Sequence, residues 1–334
     1  MRLVLASLHL SWLGGATTYL LTVAPVLQRL GHDVTLYSPD PGETAALARE
    51  RGIRTVDREA DLPETCDALL VQDTAMSLDL RSRYRAPQVF VSHGAELDLA
   101  VPPQVDGAVA AAVAMNDRAM ARLEALAVDV KLARLRQPID MELFSSRGPP
   151  RDRAEDVLLL GNYLAGPRRA LVTDVCAELG LRWSQVGFEG TVMANPAEAI
   201  SRADIVIGYG RSVLEAMAGG RAAYVFDYLG GDGWVTAETY PMLERDGFTG
   251  SMSGQVRANG CGATCSRTTP RWARSTRRSS RRITPSGSTR ASSRSSSRRS
   301  PERPSSGSPA AASSRGWCGC NGMPTGGRRS FGAT

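Results

Sequence analysis

The sequence predicts an α/β protein built from two parallel sheets, each covered by helices on both faces. Short apolar segments alternate with helix-like segments from Met1 to about Gly250. Glycines often follow the apolar segments and come directly before the helices. A proline-interrupted stretch with little periodicity divides this alternation into two series. Repeated βα units of this length are typical of doubly wound, Rossmann-like lobes.

The first series predicts the first lobe. Apolar runs indicate strands, and amphipathic segments that end at glycine or polar residues indicate helices. The predicted strands are residues 3–7, 33–37, 53–56, 67–72, 88–92 and 109–115, and the predicted helices are residues 17–30, 43–51 and 116–126.

The second series predicts a similar lobe that is incomplete, because no strand or helix pattern follows Phe248. The predicted strands are residues 157–160, 182–186, 205–207 and a run that ends at Phe226, and the predicted helices are residues 168–179, 196–202 and 212–218. We therefore divide the chain into a first lobe, a linker, a second lobe and a tail, with limits at 1–135, 136–155, 156–254 and 255–334.

The tail differs from the rest of the chain in composition. Residues 255–334 contain no Leu, 18 Ser and 16 Arg, but a single acidic residue, Glu302. The rest of the chain has 24 basic and 33 acidic residues, so the net charge of +6 combines an acidic body with a basic tail. A segment with so little apolar surface cannot offset the entropy lost on ordering, and we predict that it is disordered.

Two explanations of the tail remain open. Only one of the 40 basic residues is a lysine, Lys131, which is typical of a GC-rich gene. Out-of-frame reading of such a gene yields mainly Arg, Ser, Pro, Gly and Ala, so a frameshift between about residues 247 and 258 would produce this composition. A genuine basic tail would instead bind nucleic acid through its phosphates, although nucleic acid is not the partner that we expect. Resequencing the gene distinguishes the two.

The strongest functional signal lies in residues 203–226. An apolar run ends at a Gly-Tyr-Gly sequence whose last residue is Gly210, and a helix pattern begins at Ser212. A helix N-terminus beyond the carboxyl end of a strand presents free backbone N–H groups and the positive end of the helix dipole. Such a point is a natural phosphate site. Glu215 follows one turn later, within reach of a sugar hydroxyl of the same ligand.

The same residues have two other interpretations. Ser212 and Glu215 fit the capping box S-x-x-E, in which they would only satisfy backbone groups at the start of the helix. The two glycines also resemble the start of a dinucleotide fingerprint. Val213 replaces its third glycine, however, and the sequence comes late in the chain.

Further candidate residues follow predicted strands of the first lobe. Gly14 and Gly15 come between the first strand and the first helix, where glycines allow the backbone to approach a phosphate or simply make a tight turn. His93 comes directly after another strand. A histidine there is suited to binding a sugar hydroxyl or to acid–base catalysis, and a loop histidine with only local contacts is the alternative.

Three arginines are candidates for binding an anion. Arg168 and Arg169 begin the helix after the first strand of the second lobe, where cations interact unfavourably with the helix dipole. An anionic ligand would compensate for this, and a solvated arginine face is the alternative. Arg211, next to the Gly-Tyr-Gly sequence, allows the same two interpretations.

Cysteine usage and the N-terminus indicate a compartment. Cys66 and Cys176 are isolated, and the four tail cysteines have no nearby histidine, which makes a weak zinc signal. The chain opens with a strand rather than a signal peptide, and no apolar run has the length of a membrane span. We expect a cytoplasmic protein, with peripheral association at the inner face of a membrane as a further option.

Together these segments resemble the GT-B glycosyltransferases, in particular bacterial enzymes of the family-4 type that use nucleotide-sugar donors. The likeness covers about residues 1–250. It rests on Gly14-Gly15, VSHGAE at 91–96, QPID at 137–140, LLLGNYLAGPRR at 158–169 and, most specifically, GRSVLEAMAGGRAAYV at 210–225.

The resemblance implies a GT-B fold with an acceptor in the first lobe and a nucleotide sugar in the second. Glu215 would bind the ribose, Arg168 or Arg169 the diphosphate, and His93 would lie at the reaction centre. No metal is expected, since no Asp-x-Asp motif occurs at the site. The alternative is an inactive or epimerase-like nucleotide-binding protein of the same fold.

Two residues depart from the family pattern. The paired-glutamate motif E-x7-E would place a second Glu where this chain has Ile207, and Asn162 replaces an arginine that usually follows the strand. The donor sugar and the stereochemistry of transfer therefore stay open.

Overall fold

The computed structural model describes residues 1–94, 97–127, 130–146, 148–193 and 195–252. The tail at 255–334 lies outside the described residues, as do Ala95 and Glu96 of the VSHGAE segment. The predictions for the tail therefore stay predictions, and so do the four domain limits.

The first lobe is built around a parallel sheet of seven strands in the order β5-β3-β1-β6-β7-β8-β9. Its strands, with the short pair β2 and β4 beside the sheet, are β1 (Arg2–Ala6), β2 (His9–Leu10), β3 (Asp33–Tyr37), β4 (Asp40–Pro41), β5 (Arg54–Val56), β6 (Ala68–Val71), β7 (Gln88–Ser92), β8 (Ala111–Ala114) and β9 (Lys131–Arg134). Its helices are α1 (Gly15–Arg29), α2 (Glu43–Glu50), α3 (Thr74–Arg83) and α4 (Asp117–Ala125).

The second lobe is built around a five-stranded sheet in the order β11-β10-β12-β13-β14. Its strands are β10 (Asp156–Leu160), β11 (Arg182–Val186), β12 (Ile205–Gly208), β13 (Ala222–Asp227) and β14 (Gly230–Trp234), and its helices are α5 (Gly166–Leu179), α6 (Ala197–Arg202), α7 (Arg211–Ala218) and α8 (Tyr240–Asp246). The first four strands in this order are parallel, and β14 pairs antiparallel at the edge.

Both sheets bury apolar side chains on their two faces, as continuous apolar runs predict. Val4 and Leu5, which point to opposite faces of β1, are at most 1% exposed. In the second lobe Leu158 and Leu159 of β10 are completely buried. The predicted α/β architecture with Rossmann-like sheets is confirmed.

Strand order places a topological switch point in each sheet. Strand β10 lies between β11 and β12, so the chain leaves it first towards one edge and later towards the other. Strand β1 has the same position between β3 and β6. Ligands of open α/β sheets bind beyond the carboxyl ends of such strands, which directs attention to residues after β10, β12, β1 and β6.

The chain returns to the first lobe after β14. Helix α8 lies against α4, where Arg245 contacts Asp117 at 3.0 Å. Glu244 of α8 also forms an ion pair with Arg134, with 2.9 Å between the charged atoms. These contacts join the end of the second lobe to the first.

Several elements were not predicted. Helix α3 was missed although Asp73 caps it by accepting a hydrogen bond from the Met76 amide, because its apolar periodicity is weak. Strands β9 and β14 and helix α8 were missed as well. Helix α7 begins at Arg211, one residue before the predicted start.

No helix among the described residues has both the length and the apolar character needed to cross a membrane.

Candidate active site

A cleft of about 1320 Å³ opens where the carboxyl ends of both sheets meet. Its walls come from both lobes and from the segment that joins them. On the first lobe they include the residues after β1, β6 and β7, and on the second lobe the residues after β10, β12 and β13. The predicted residues that line it are Gly14, Gly15, His93, Gly210, Arg211, Ser212 and Glu215.

The N-terminus of α7 opens onto this cleft without a side-chain cap. The N-cap residue is Gly210, whose φ of +56° lies in a region that favours glycine. The Ser212 hydroxyl turns back and contacts the backbone N–H and C=O of Tyr209 at 3.2 and 2.7 Å. First-turn N–H groups of a helix have no intrahelical partner, so α7 presents donors to the cleft.

The capping-box interpretation of Ser212 and Glu215 is wrong. Because the helix starts at Arg211, Ser212 is already inside it, and Glu215 does not return to the helix start. The Glu215 carboxylate instead accepts a hydrogen bond from Nε of Arg211 at 2.8 Å. Both side chains are 7% exposed.

Burial and the ion pair act on these two groups in opposite directions. Burial raises the pKa of Glu215, and the neighbouring Arg211 opposes this. Burial likewise lowers the pKa of Arg211, and Glu215 raises it. We therefore treat the two side chains as an ionised pair in which each charge compensates the other.

Arg211 also joins the two lobes. Its Nη2 donates to the hydroxyl of Thr22 in α1 at 2.7 Å, and its Nη1 donates to the carbonyl of Pro138 in the linker at 2.8 Å. Asn162, which follows β10, makes a second bridge by donating to the carbonyl of Leu13 at 3.1 Å. Side chains that line the cleft therefore also join the two lobes.

The start of α1 forms the opposing part of the wall. Gly14 is its N-cap residue, and its backbone N–H donates to the Thr17 hydroxyl at 2.9 Å. A Cβ atom placed on Gly15 would meet nothing within 4 Å, so the space in front of it is open. Two helix N-termini, those of α1 and α7, therefore line one cleft.

His93 lies partly buried at the end of β7. Its Nε2 is 2.5 Å from Oε1 of Gln72, and its ring packs edge-to-face on Tyr19 with 5.0 Å between centroids. Burial, and to a smaller extent the charge of Arg211, lowers the pKa of His93 to about 4. The ring is therefore neutral at physiological pH. With Nε2–H donating to Gln72, the lone pair lies on Nδ1.

Arg168 and Arg169 do not line the cleft. Helix α5 begins at Gly166, which places both arginines inside its first turn. Arg169 forms an ion pair with Glu189 at 3.0 Å, so a protein carboxylate already compensates its charge. Burial raises the pKa of Asp227 to about 7, and the nearby charge of Arg168 opposes this only in part.

Sequence reasoning missed three tyrosines that line the cleft: Tyr163, Tyr209 and Tyr228. Their ring centroids are 5.0 to 5.9 Å apart. A signal was present, since each follows a predicted apolar strand within three residues. Only the strand order, however, shows that the three strand ends are neighbours.

The structure also adds a histidine–carboxylate contact on the first-lobe wall. Nδ1 of His9 lies 2.7 Å from Asp40, and the His9 ring stacks on Trp12 with 5.5 Å between centroids. Backbone pairing of β2 with β4 aligns His9 with Asp40.

Among the described residues, no group of three or more His, Cys, Asp or Glu side chains is arranged to hold a metal ion.

Solved structures with the GT-B fold are similar to this chain. Sucrose-phosphate synthase from Thermosynechococcus elongatus has a TM-score of 0.55 at 13% identity, over 84% of this chain and 93% of that chain. Anabaena HepE with UDP-glucose, and the same protein with UDP and glucose, have TM-scores of 0.52 and 0.51 at 12% identity. Each HepE match covers 84% of this chain and 98% of that chain. The GT-B fold that the resemblance implied is therefore confirmed. No protein-family model matches the sequence, and no curated protein is significantly similar to it.

Proposed function

We propose that this chain is a glycosyltransferase that moves a sugar from a nucleotide-sugar donor to an acceptor inside the cleft. One observation carries the proposal: the uncapped N-terminus of α7 opens onto a cleft between two Rossmann-like lobes, with the Glu215 carboxylate one turn deeper. HepE, which has the same fold, was crystallised with UDP-glucose, and this supports a nucleotide-sugar donor.

The donor diphosphate is the group that suits the two helix N-termini. Its negative charge matches the backbone N–H groups and the positive dipole ends of α7 and α1. Gly210, Gly14 and Gly15 carry no side chain that would keep the phosphates away from the backbone. Arg211 bonds Glu215, Pro138 and Thr22, so it positions this wall of the site, and the helix amides make the proposed contacts with the phosphates. These groups would stabilise the charge that develops on the leaving nucleotide diphosphate, which lowers the barrier to transfer.

Glu215 is the proposed acceptor for the ribose hydroxyls. A carboxylate accepts hydrogen bonds from two neighbouring hydroxyls, and its position one turn inside α7 matches the distance from a diphosphate to its ribose. The Arg211 partner keeps Glu215 ionised despite its burial, so the residue stays an acceptor.

His93 is the proposed residue at the reaction centre. Because the ring is neutral, it acts through the Nδ1 lone pair as a hydrogen-bond acceptor or base, and not as a cation. Gln72 fixes the ring orientation by accepting the Nε2 proton. No metal ion is part of the proposal, because the N-termini of α1 and α7 supply the positive potential at the diphosphate.

Calorimetry of UDP and GDP binding tests the nucleotide site. Glu215→Gln keeps the shape of the side chain and an acceptor for Arg211 but removes the charge. We expect it to weaken binding of the preferred nucleotide about tenfold, as for loss of one charged hydrogen bond. Glu178→Ala, on the exposed face of α5, is the control and should leave the affinity unchanged.

Two results would contradict the proposal. One is that neither nucleotide binds the unaltered chain, and the other is that Glu215→Gln binds as tightly as the unaltered chain does. Transfer and donor-hydrolysis assays then separate a transferase from a protein that only binds the nucleotide.

A further inference from the structure

Three tyrosines form an aromatic cluster on the second-lobe side of the cleft, with their ring planes inclined at 54–88° to one another. We call Tyr163, Tyr209 and Tyr228 the tyrosine triad. The ring centroids of Tyr163 and Tyr228 are 5.0 Å apart, and the two other distances are 5.6 and 5.9 Å. At these distances the rings touch one another, so a ligand would lie on the triad and not between its members.

The triad is built at the ends of three neighbouring strands. Tyr209 and Tyr228 directly follow β12 and β13, and Tyr163 follows β10 after two residues. These strands are adjacent in the order β10-β12-β13. The triad therefore includes the switch point of the second sheet, where ligands of this architecture bind.

The triad exposes aromatic surface inside a concave site. Tyr163 is 53% exposed and Tyr228 is 37% exposed, although tyrosine rings contribute most to stability when they are buried. Apolar or aromatic lining with a few polar groups is typical of a ligand site. The exposed faces of these rings are thus available to a ligand.

A buried carboxyl group, that of Asp227, lies close to the triad. Asp227, which precedes Tyr228, is 1% exposed, and neither carboxyl oxygen has a hydrogen-bond partner of ordinary geometry among the described residues. A Cβ atom on Gly161 would lie 3.2 Å from Oδ2 of Asp227 and 3.9 Å from the Tyr209 ring. The carboxyl group therefore lies next to Gly161, a glycine that lines the cleft.

A hexose fits this combination of groups. One face of a pyranose carries C–H groups that pack on an aromatic ring, and its edge carries hydroxyls that need hydrogen-bond partners. The tyrosine triad would pack against the C–H groups, and Asp227 would accept a hydrogen bond from a hydroxyl or donate one to it. A buried polar atom without a partner is unfavourable, and a ligand hydroxyl would satisfy it.

The linear order of a nucleotide sugar selects which part reaches the triad. The proposed ribose contact, Glu215, lies inside α7, and the proposed diphosphate site is at the helix start. Tyr209 lies on the other side of Gly210, before the helix. The donor sugar follows the diphosphate at the end opposite to the ribose, and so it would extend towards Tyr209.

We propose that the tyrosine triad and Asp227 bind the sugar of the donor, with the pyranose on an exposed ring face of the triad and a hydroxyl on the carboxyl group. This inference rests on the proposed function.

The test compares each nucleoside diphosphate with its sugar derivatives. Calorimetry measures the affinity of the unaltered chain for UDP, UDP-glucose, UDP-galactose, GDP and GDP-mannose. The nucleotide sugar that binds most tightly relative to its parent diphosphate is then used for the variants. We expect Tyr163→Ala and Tyr228→Ala to weaken binding of that nucleotide sugar about tenfold, in the range for an aromatic stacking contact, and to leave the parent diphosphate within about twofold.

Conservative and control variants distinguish the loss of a ring contact from a general loss of structure. Tyr163→Phe keeps the ring and should bind the nucleotide sugar within about threefold of the unaltered chain. Asp227→Ala should show the same selective loss as the alanine variants of the triad. Trp183→Ala removes an exposed aromatic ring of β11 away from the cleft and should change neither affinity.

Two outcomes overturn the inference while the proposed function stands: the triad variants weaken the diphosphate and the nucleotide sugar equally, or they weaken neither. If the unaltered chain binds no nucleotide, the proposed function itself fails, and the inference fails with it. If Asp227→Ala does not fold, the tyrosine variants alone decide.

Discussion

The Arg211 guanidinium of α7 donates a 2.7 Å hydrogen bond to the Thr22 hydroxyl of α1, across the boundary between the lobes. The same guanidinium holds Glu215, the proposed ribose contact. The hydrogen bond that joins the lobes and the proposed nucleotide site therefore share one side chain. A change in one is expected to alter the other.

Thr22→Val tests the bridge between the lobes. The substitution keeps the shape of the side chain but leaves one Arg211 nitrogen without its acceptor, so we expect a loss of about 1–2 kcal/mol in the free energy of unfolding. Urea denaturation measures it. Thr173→Val is the matched control, because the Thr173 hydroxyl bonds only within its own helix at Ala170. Equal stabilities of the two variants would contradict the bridge.

The buried Arg211–Glu215 pair is expected to show strong coupling. Arg211→Met leaves a buried carboxylate without its cation and should destabilise the chain by about 3 kcal/mol. Replacing Glu215 with Leu in the same chain removes the isolated charge and should recover most of this loss. A double-mutant cycle measured by denaturation gives the coupling energy. Additive effects of the two substitutions would show that the pair is not a unit.

Asp227 should make the stability fall as pH rises. Burial raises the pKa of Asp227 to about 7, and the amide of Tyr228 and the charge of Arg168 lower it only partly. An unfolded Asp titrates near 3.9, so between about pH 4 and pH 7 the folded chain holds one more proton than the unfolded chain. The stability lost across this window stays lost above it.

Asp227→Asn removes that proton linkage. We expect the variant to gain thermal stability over the unaltered chain as pH rises from 4 to 8, with most of the gain between pH 4 and 7. Thermal melts across this range measure it. Asp174→Asn, on the exposed face of α5, should follow the unaltered chain. A difference that does not vary with pH would contradict this assignment.

His93 should make the stability fall as pH falls, which is the opposite of the effect expected for Asp227. Its pKa is lowered to about 4 by burial and by Arg211, whereas an unfolded histidine titrates near 6.5. Between these values the unfolded chain binds the extra proton, so His93 lowers the stability as pH falls from about 6.5 to about 4. His93→Gln should lose less stability over this window in urea denaturation. Parallel curves for His93→Gln and the unaltered chain would rule out a buried neutral ring.

The elements that the sequence predicted best are those whose apolar pattern is a local property. The strand at Gln88–Ser92 was predicted with its observed limits, because its residues are buried on both faces and a polar turn follows. Helix α8 was missed, although Pro241 and Gly247 mark its two ends, because seven residues are too few for a clear periodicity.

The site could be predicted only in part. Glycines at helix starts follow from local backbone geometry, and Gly14, Gly15 and Gly210 all line the cleft. The contact of Arg211 with Thr22 depends on how the lobes meet, and the triad depends on strand order; neither is encoded in a local pattern. For Arg168 and Arg169 the local pattern was misleading. Their position at a helix start predicted an anion site, but they are not among the residues that line the cleft.

The proposed function depends most on the binding of the nucleotide at α7. A crystal structure of the chain with UDP or GDP, whichever binds more tightly, tests this most directly. We expect a diphosphate at the first-turn amides of α7, near Gly210, and a ribose within hydrogen-bond distance of Glu215. A nucleotide bound anywhere else, with that helix start unoccupied, would contradict it.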